Sequence, residues 1–384
     1  MKFLLIYVPN LRFPYKGDWY KRKLNEICLF FKGNGLSKSD LSNEGFPCIL
    51  YGELYTTYKN EVISDIVSKT TTTLSNPFLS KNNDLIIPGS GEDPIDIAVA
   101  RAIYQNDIIL GGDLNVLRPK SNVSAAFLSY QLNGVRRYDI AKKAQGKSIV
   151  HLHNSDLKEI CVSIPTYDEQ LHIVKLLTKI DEMIETQIKI IDTLLSEMNS
   201  IRSLIFNKSS LKWIPLKDIV AEQDIKLKRG KVIPKHKKNL KYIYPVYSSS
   251  ITNSGLMGYS DSYMFNQELI TWSIDGGGNF FYRKKHKFNI TNVSGYMILN
   301  ENLFNYQFIV QSLIWQHEKL KFDYQTKAHP SVVESLYKIP IMDLEEQHKY
   351  ACLFSNLNEK YELELHILDL LNMQKKYLLK NMFV

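Results

Sequence analysis

Apolar residues along this chain fall into two kinds of pattern. Positions 173, 177, 180, 184, 187, 191, 194, 198, 201 and 205 alternate steps of four and three. They carry Ile, Leu, Ile, Ile, Gln, Ile, Leu, Met, Ile and Ile. This is a heptad stripe of the coiled-coil kind, in which the a and d positions meet a partner helix. A second stripe runs through Tyr350, Phe354, Leu357, Tyr361, Glu364, Leu368, Leu371, Lys375, Leu378 and Met382. No Gly or Pro interrupts either stripe, so each predicts a helix of about 38 residues, roughly 57 Å long. The other pattern is short and β-rich. DLIIPGS (84–90), DIILGG (107–112) and ELITWSI (268–274) are bounded by Gly, Asn and Pro and read as strands. Helical stretches such as FLSYQLNG and FNYQFIVQSLIWQ lie among them, so the class is α+β.

The two stripes belong to an internal repeat. With Glu169-Gln170 set over Glu346-Gln347, Leu176 falls on Leu353, Glu182 on Glu359, Ile190 on Ile367, Leu194 on Leu371 and Phe206 on Phe383. Thr166 with Glu169, and Asp343 with Glu346, have the spacing of a capping box, with Pro165 and Pro340 just outside. Helices with matching stripes pack on each other most simply, through Ile180, Ile184, Gln187 and Ile191 on one and Leu357, Tyr361, Glu364 and Leu368 on the other. Gln187 and Glu364 interrupt the stripes at one repeat position. They either set the register as polar core residues or face solvent at a local stutter. Lys375, at a core position, leaves packing near the C-terminus open to cover by a partner subunit.

Each long helix follows a globular block. The blocks open alike, with GDWYKRKLNEI (17–27) and LKWIPLKDI (211–219), and close alike, with HNSDLKEICVSIP (153–165) and SVVESLYKIP (331–340). Their middles share little sequence. The expected organisation is a first domain over 1–164, a helix over 165–208, a second domain over 209–339 and a helix over 340–384. Matching ends around divergent middles suggest one scaffold carrying two recognition surfaces.

Charge adds a partner class. The chain has 48 Lys and Arg against 40 Asp and Glu, a net +8, which favours a polyanion because phosphate neutralisation releases counterions. The charge is local. KLKRGKVIPKHKKNLK (226–241) has seven Lys, one Arg and no acid, and RKKHK (283–287) follows. Candidate contacts in the second block are Lys235, Lys237, Lys238, Tyr247, Ser248, Ser249, Ser250, Thr252, Asn279 and Lys327. Those in the first block are Tyr51, Glu53, Tyr55, Ser90, Lys142, Lys143, Gln145 and Lys147. Cations interleaved with Tyr, Ser, Asn and Gln are what phosphate positioning and base-edge reading require. Taken singly, each cluster also reads as a solvated face.

Catalytic patterns do not emerge. There is no GxxxxGK[ST] loop, no HExxH helix and no GxSxG elbow. GSGEDP lacks phosphate-loop spacing, DGGGN reads as a turn between strands, and SNPF (75–78) as a loop. The four cysteines are widely scattered without CxxC spacing, suggest neither a zinc site nor a disulfide framework, and read as buried thiols of a reducing cytosol. The N-terminal apolar run before Pro9 is too short for a signal peptide, and no 18-residue apolar stretch follows. The expectation is a non-catalytic, cytoplasmic chain without a membrane partner.

Two dissimilar blocks, each followed by a long helix with an IP…EQ start, resemble the specificity subunit of type I restriction–modification enzymes. VPNLRFP (8–14), the W…KL.EI that follows, and QGKSIVHLHNSDLKEICVSIP (145–165) resemble that family too. The resemblance implies target-recognition domains that each read half of a bipartite duplex DNA sequence, and an antiparallel helix pair as spacer. It implies two methyltransferase subunits that bring S-adenosylmethionine and methylate adenine N6. It also implies two restriction subunits using ATP and Mg, with no cofactor or metal in this chain. A DNA-binding or coiled-coil scaffold of another defence complex is the alternative.

Overall fold

A computed structural model describes residues 9–15, 17–250, 252–275, 277–320 and 327–384. The apolar run Met1–Val8 lies outside the described residues. The chain divides into two compact units, Met1–Ile188 with Ile367–Val384, and Lys189–His366. Each unit therefore holds one globular block, the start of the helix that follows it and the end of the other helix.

In unit 1 the core is a five-stranded sheet. Its strands are β1 (Cys28–Lys32), β2 (Val62–Ile63), β3 (Asp84–Pro88), β4 (Arg101–Ile103) and β5 (Leu114–Pro119), in the order β1-β5-β3-β4-β2. All neighbours are antiparallel except β4 and β2, which are parallel. Every residue of β3 is buried, which explains its unbroken apolar run. Helix α1 (Ala125–Asn133) packs on the sheet, buried through its first eight residues, and Ser124 caps it by accepting from the Phe127 amide at 3.3 Å. The first long helix is α2 (Tyr167–Phe206).

Unit 2 repeats this plan. It has β6 (Ile225–Arg229), β7 (Tyr244–Tyr247), β8 (Leu256–Ser260), β9 (Phe265–Ser273), β10 (Phe280–Ile290) and β11 (Ser294–Leu299), in the order β6-β11-β9-β10-β7-β8. Again the pairings are antiparallel except one, β10 with β7. Helix α3 (Tyr306–His317) is capped by Asn305, and the second long helix is α4 (Leu344–Asn381). Strands β6, β11, β9, β10 and β7 thus take the places of β1, β5, β3, β4 and β2. The middles that share little sequence share their topology, and β8 is an addition.

The matching block ends have a structural cause. Tyr20–Lys23 pairs antiparallel with Cys161–Ile164, and Lys212–Pro215 pairs the same way with Lys338–Ile341. Each block is therefore closed by a two-stranded ribbon immediately before its helix. Trp19, just before the first ribbon, and Trp213, within the second, each anchor an aromatic cluster at the far end of a long helix. Trp19 lies 5.7 Å from Phe127 and 6.4 Å from Phe383, between ring centroids. Trp213 lies 6.1 Å from Phe206, which lies 5.5 Å from Phe308.

The repeated Glu-Gln divides its labour. Gln170 is fully buried: its Oε1 accepts from the Ser124 amide at 2.9 Å, and its Nε2 donates to the Asn122 and Pro165 carbonyls at 3.2 and 3.1 Å. Gln347 makes the same three bonds, to the Asn305 amide and the Leu303 and Met342 carbonyls, each at 2.9 Å. Each Gln fastens the start of a long helix to the cap of a domain helix. Gln170→Met keeps the volume but orphans a buried amide and two carbonyls. It is expected to cost about 2–3 kcal/mol in a denaturant melt, and Gln347→Met a similar amount.

Some expectations are corrected. Glu169 does not close a capping box. It is fully buried, bidentate with Arg12 (2.7 and 2.8 Å), and accepts from the Trp19 indole at 3.1 Å, so the N-terminal LRFP segment supplies its partner. Asp343 does cap, accepting from the Glu346 amide at 3.0 Å. Gln187 is 7% exposed and does not face solvent. Lys375 is held within unit 1, with Nζ 2.7 Å from both Glu61 and Asp181, while Leu378, Met382 and Phe383 are buried beside it. Of the cysteines, Cys28 and Cys48 are buried, Cys161 is half-buried and Cys352 is exposed. Burial pushes the Cys28 thiol up to about 12.

The helices pack antiparallel within each unit. In unit 1, Ile173, Leu177 and Ile180 meet Leu378 and Met382. In unit 2, Ile201 and Ile205 share a cluster with Tyr350, Phe354 and Leu357. Ile180 and Ile191 are buried; Ile184, Leu357, Tyr361, Glu364 and Leu368 are partly buried. Among the described residues, no helix is long and apolar enough to cross a membrane.

Candidate nucleic-acid interface

The predicted site residues fall mainly in two connections of the shared topology. One joins the first sheet strand to the parallel strand, β1 to β2 in unit 1 and β6 to β7 in unit 2. The other follows the domain helix, after α1 or after α3.

In unit 1 the first connection carries Tyr51, Glu53 and Tyr55 around a one-turn helix, Glu53–Thr56. Glu53 accepts from the Leu50 amide at 2.7 Å and from the Ser68 hydroxyl, so its carboxylate is committed to the turn. Tyr51 and Tyr55 are partly buried against the core, and burial raises the Tyr55 phenol. Leu36, Leu41, Leu50, Tyr51, Glu53 and Asp113 border a cleft of about 730 Å³. Ser90 does not join this surface. It is 4% exposed and its Oγ donates to Asp113 at 3.1 Å.

After α1 and the short helix Arg137–Ala141, Lys142, Lys143, Gln145 and Lys147 are all exposed. The loop is pinned at its base, where the Gln145 and His151 backbones exchange hydrogen bonds of 2.9 and 2.7 Å. Gly146 has φ +137°, and a Cβ there would stand 1.9 Å from the Ile149 carbonyl oxygen. Only glycine fits this turn.

In unit 2 the first connection becomes part of the sheet edge. His236 and Tyr259 exchange backbone hydrogen bonds of 3.0 and 2.9 Å, which lays the basic run alongside β8. Tyrosines alternate with the cations. His236 stacks on Tyr242 at 3.9 Å, Lys238 lies 5.5 Å over Tyr259, and Lys287 lies 4.9 Å over Tyr263. Lys235, His236, Lys237, Lys238, Asn253 and Tyr259 border a groove of about 550 Å³. Asn253 and Ser254 both have φ +49°, strain of the kind concentrated at functional turns.

Tyr247 is braced from below. The Arg283 guanidinium lies 3.8 Å from its ring and donates from Nε to Thr271 at 3.0 Å; burial pulls that guanidinium down to about 10. The Tyr247 hydroxyl donates to His286 Nε2 at 3.2 Å, since Nδ1 donates to the Lys284 carbonyl at 2.6 Å. Ser248 is buried and accepts from the Thr291 hydroxyl at 2.8 Å. Ser249 accepts at its carbonyl from Ser273, and Ser250 is half-buried. Thr252 lies in the one-turn segment Thr252–Gly255, and its side chain is outside the described residues. Asn279 closes the β9–β10 turn by accepting from the Ser273 amide at 3.1 Å. Lys327 is exposed and paired with Asp275 at 3.2 Å in that turn.

The structure therefore gathers Lys235, Lys237 and Lys238 into one groove and withdraws Ser90, Ser248 and the Glu53 carboxylate into structural bonds. It adds Tyr242, next to Lys241 at the end of the basic run, and Lys287, in the 283–287 run, which the sequence could have flagged, and Tyr259 and Tyr263, which lie outside both runs.

A family model, the type I restriction modification DNA specificity domain, matches residues 16–195 and 212–373. The chain belongs to this family. Each match in this specificity-domain protein runs from a globular block into its long helix. It is 33% identical over 132 residues to a candidate type I specificity subunit of Mycoplasma pneumoniae, covering 31% of this chain and 41% of that one. A second candidate subunit from the same organism is 28% identical over 170 residues, covering 44% and 45%. The chain thus spans about two-fifths to half the length of these relatives. The fold is similar over nearly its full length to the crystal structure of the M. genitalium type I restriction–modification S subunit. There the TM-score is 0.68 and the identity 20%, over 98% of this chain and 99% of that one. A chain from a structure on complex assembly and conformational transition of the type I R-M system gives a TM-score of 0.55 at 12% identity. It covers 95% of this chain and 98% of its own length.

Proposed function

We propose that this chain is the non-catalytic DNA-specificity subunit of a type I restriction–modification enzyme. Residues 1–164 and 209–339 are its target-recognition domains, each reading one half of a bipartite duplex target. The long helices fix the unspecified spacer. Two methyltransferase subunits, with S-adenosylmethionine, modify adenine N6 at the site this chain selects. Two restriction subunits, with ATP and Mg, complete the larger cytoplasmic enzyme.

The observation that carries this reading is the duplicated sheet topology with different side chains in its equivalent connections. Two copies of one scaffold with different surfaces suit a target of two unlike halves. Cations over tyrosine rings in unit 2 and an exposed lysine loop in unit 1 suit phosphate contacts, which set position and register. Single-molecule sequencing of host DNA, with the gene intact and deleted, tests the reading. The expected result is a bipartite N6-methyladenine motif that disappears on deletion. Unchanged methylation would overturn it and favour a DNA-binding scaffold without methyltransferase partners.

A further inference from the structure

The connection from the first sheet strand to the parallel strand holds the same place in both domains but carries different chemistry. In unit 2 it spans residues 230–243, with five lysines and no carboxylate. In unit 1 it spans 33–61, with two lysines, Lys38 and Lys59, and four carboxylates. Glu61 is taken up by Lys375 at 2.7 Å and Glu53 by its own turn. The Glu53 bonds come from neutral donors and leave its charge, so Asp40, Glu44 and Glu53 outnumber the two lysines and no positive surplus remains.

The shapes differ as well. The unit 2 connection is laid along a sheet edge, and its groove is walled by Lys235, Lys237 and Lys238 with a tyrosine face. The unit 1 connection folds over itself into a cleft of about 730 Å³, bordered by Leu36, Leu41, Leu50 and Tyr51 with hydroxyls from Tyr51 and Thr57. A cation-walled groove suits a phosphodiester backbone, and tyrosine rings beside it hold the lysine stems. A part-apolar cleft lined by Lys38 against Glu53 and Asp113 has no positive surplus to release counterions and suits base edges and thymine methyl groups. The unit 1 cations sit instead in the other connection, at Lys142, Lys143 and Lys147.

Resting on the proposed function, we infer that equivalent connections of the two domains do different work: 230–243 grips DNA phosphates, whereas 33–61 reads bases. The first is an anchor that is indifferent to sequence. The second determines one half of the target.

The test uses the full chain assembled with its methyltransferase subunits. Duplexes with and without the mapped motif are titrated by fluorescence anisotropy between about 50 and 200 mM salt. Lys235→Gln with Lys237→Gln and Lys238→Gln is expected to lower the salt slope by about 2.7, three contacts at about 0.9 each. The affinity lost across that salt range then shrinks by about 40-fold. Target and non-target duplexes weaken alike, and the methylated motif is unchanged. Lys38→Gln with Lys59→Gln leaves the slope as in the parent. Tyr51→Phe with Thr57→Ala relaxes one half of the motif at unchanged slope.

An unchanged slope in the unit 2 variant, a reduced slope in the Lys38 and Lys59 variant, or a motif indifferent to the cleft hydroxyls would each overturn the inference. These outcomes differ from failure of the proposed function, in which the parent complex methylates no bipartite motif. The replaced lysines are exposed, and a thermal melt of each complex checks that it remains folded.

Discussion

Lys375→Ala is expected to lose about 3–5 kcal/mol of stability near neutral pH, because it strands two buried carboxylates without their cation. Glu61 and Asp181 are 5% and 3% exposed, and Lys375 Nζ lies 2.7 Å from each. Tyr130 also donates to Asp181 at 2.7 Å, and Asn133 to Glu61 at 3.3 Å. One ammonium thus serves two acids.

The pH dependence follows from the shifts. Burial is the largest influence on Asp181 and raises its carboxyl above the ordinary range, with Glu61 adding to the rise and Lys375 opposing it. A carboxyl raised on folding contributes stability below its unfolded value and loses it as pH climbs through the folded value. Around neutrality Asp181 is therefore a liability that Lys375 limits. For Lys375 burial acts downward, but Glu61 and Asp181 outweigh it and raise the ammonium above 10.5. That contribution is present below the ordinary lysine value and is lost only as pH rises through the raised one.

The deficit of Lys375→Ala is accordingly expected to shrink as pH falls below neutrality and Asp181 takes up a proton. Adding Asp181→Asn should recover part of it at about pH 7, since one stranded charge is removed. Denaturant melts of single and double variants check both points. A deficit that is flat with pH would mean that Lys375 acts through packing alone.

Insertion of four residues after Ile188, with four after Leu365, is expected to abolish the parent methylation motif and create one with a spacer longer by one or two base pairs. Four residues add about 6 Å of helix, against about 3.4 Å per base pair. The sites lie at, or one residue from, the points where the helices leave one compact unit and enter the other, 188 to 189 and 366 to 367. The clusters joining Ile173, Leu177 and Ile180 to Leu378, and Ile205 to Phe354, lie outside the insertions and keep their internal register. A single four-residue insertion is a stutter that shifts one stripe against the other. It is expected to destroy methylation rather than redirect it. Sequencing methylated DNA from cells carrying each variant checks the spacer directly, and an unchanged spacer would refute the helices' role as a ruler.

Much of the frame was legible in the chain. Both stripes, the Glu-Gln repeat and the paired block ends could be read because helix burial repeats every three to four residues and a duplicated scaffold keeps the residues that hold it together. Gln170 and Gln347 recur because each makes the same three bonds. The candidate interface was legible only as clusters of residue types. Lys235, Lys237 and Lys238 were visible as a basic run. Nothing in the run said that His236 would pair with Tyr259 and turn the lysines into a groove wall.

The sequence by itself determined the two-block, two-helix plan and its stripes, because those depend on local periodicity and on repetition. Only the tertiary structure decided that β1 to β5 and β6, β7, β9, β10 and β11 share one topology. Strand order depends on long-range backbone pairing, which many different side chains satisfy. The same holds for Glu169, whose spacing suits a helix cap but whose carboxylate goes to Arg12, 157 residues away. It holds for Lys375, which reads as a flaw in an apolar stripe until Glu61 and Asp181 are brought beside it. A buried charge is acceptable or ruinous according to what the fold places within about 3 Å of it, and periodicity carries no record of that.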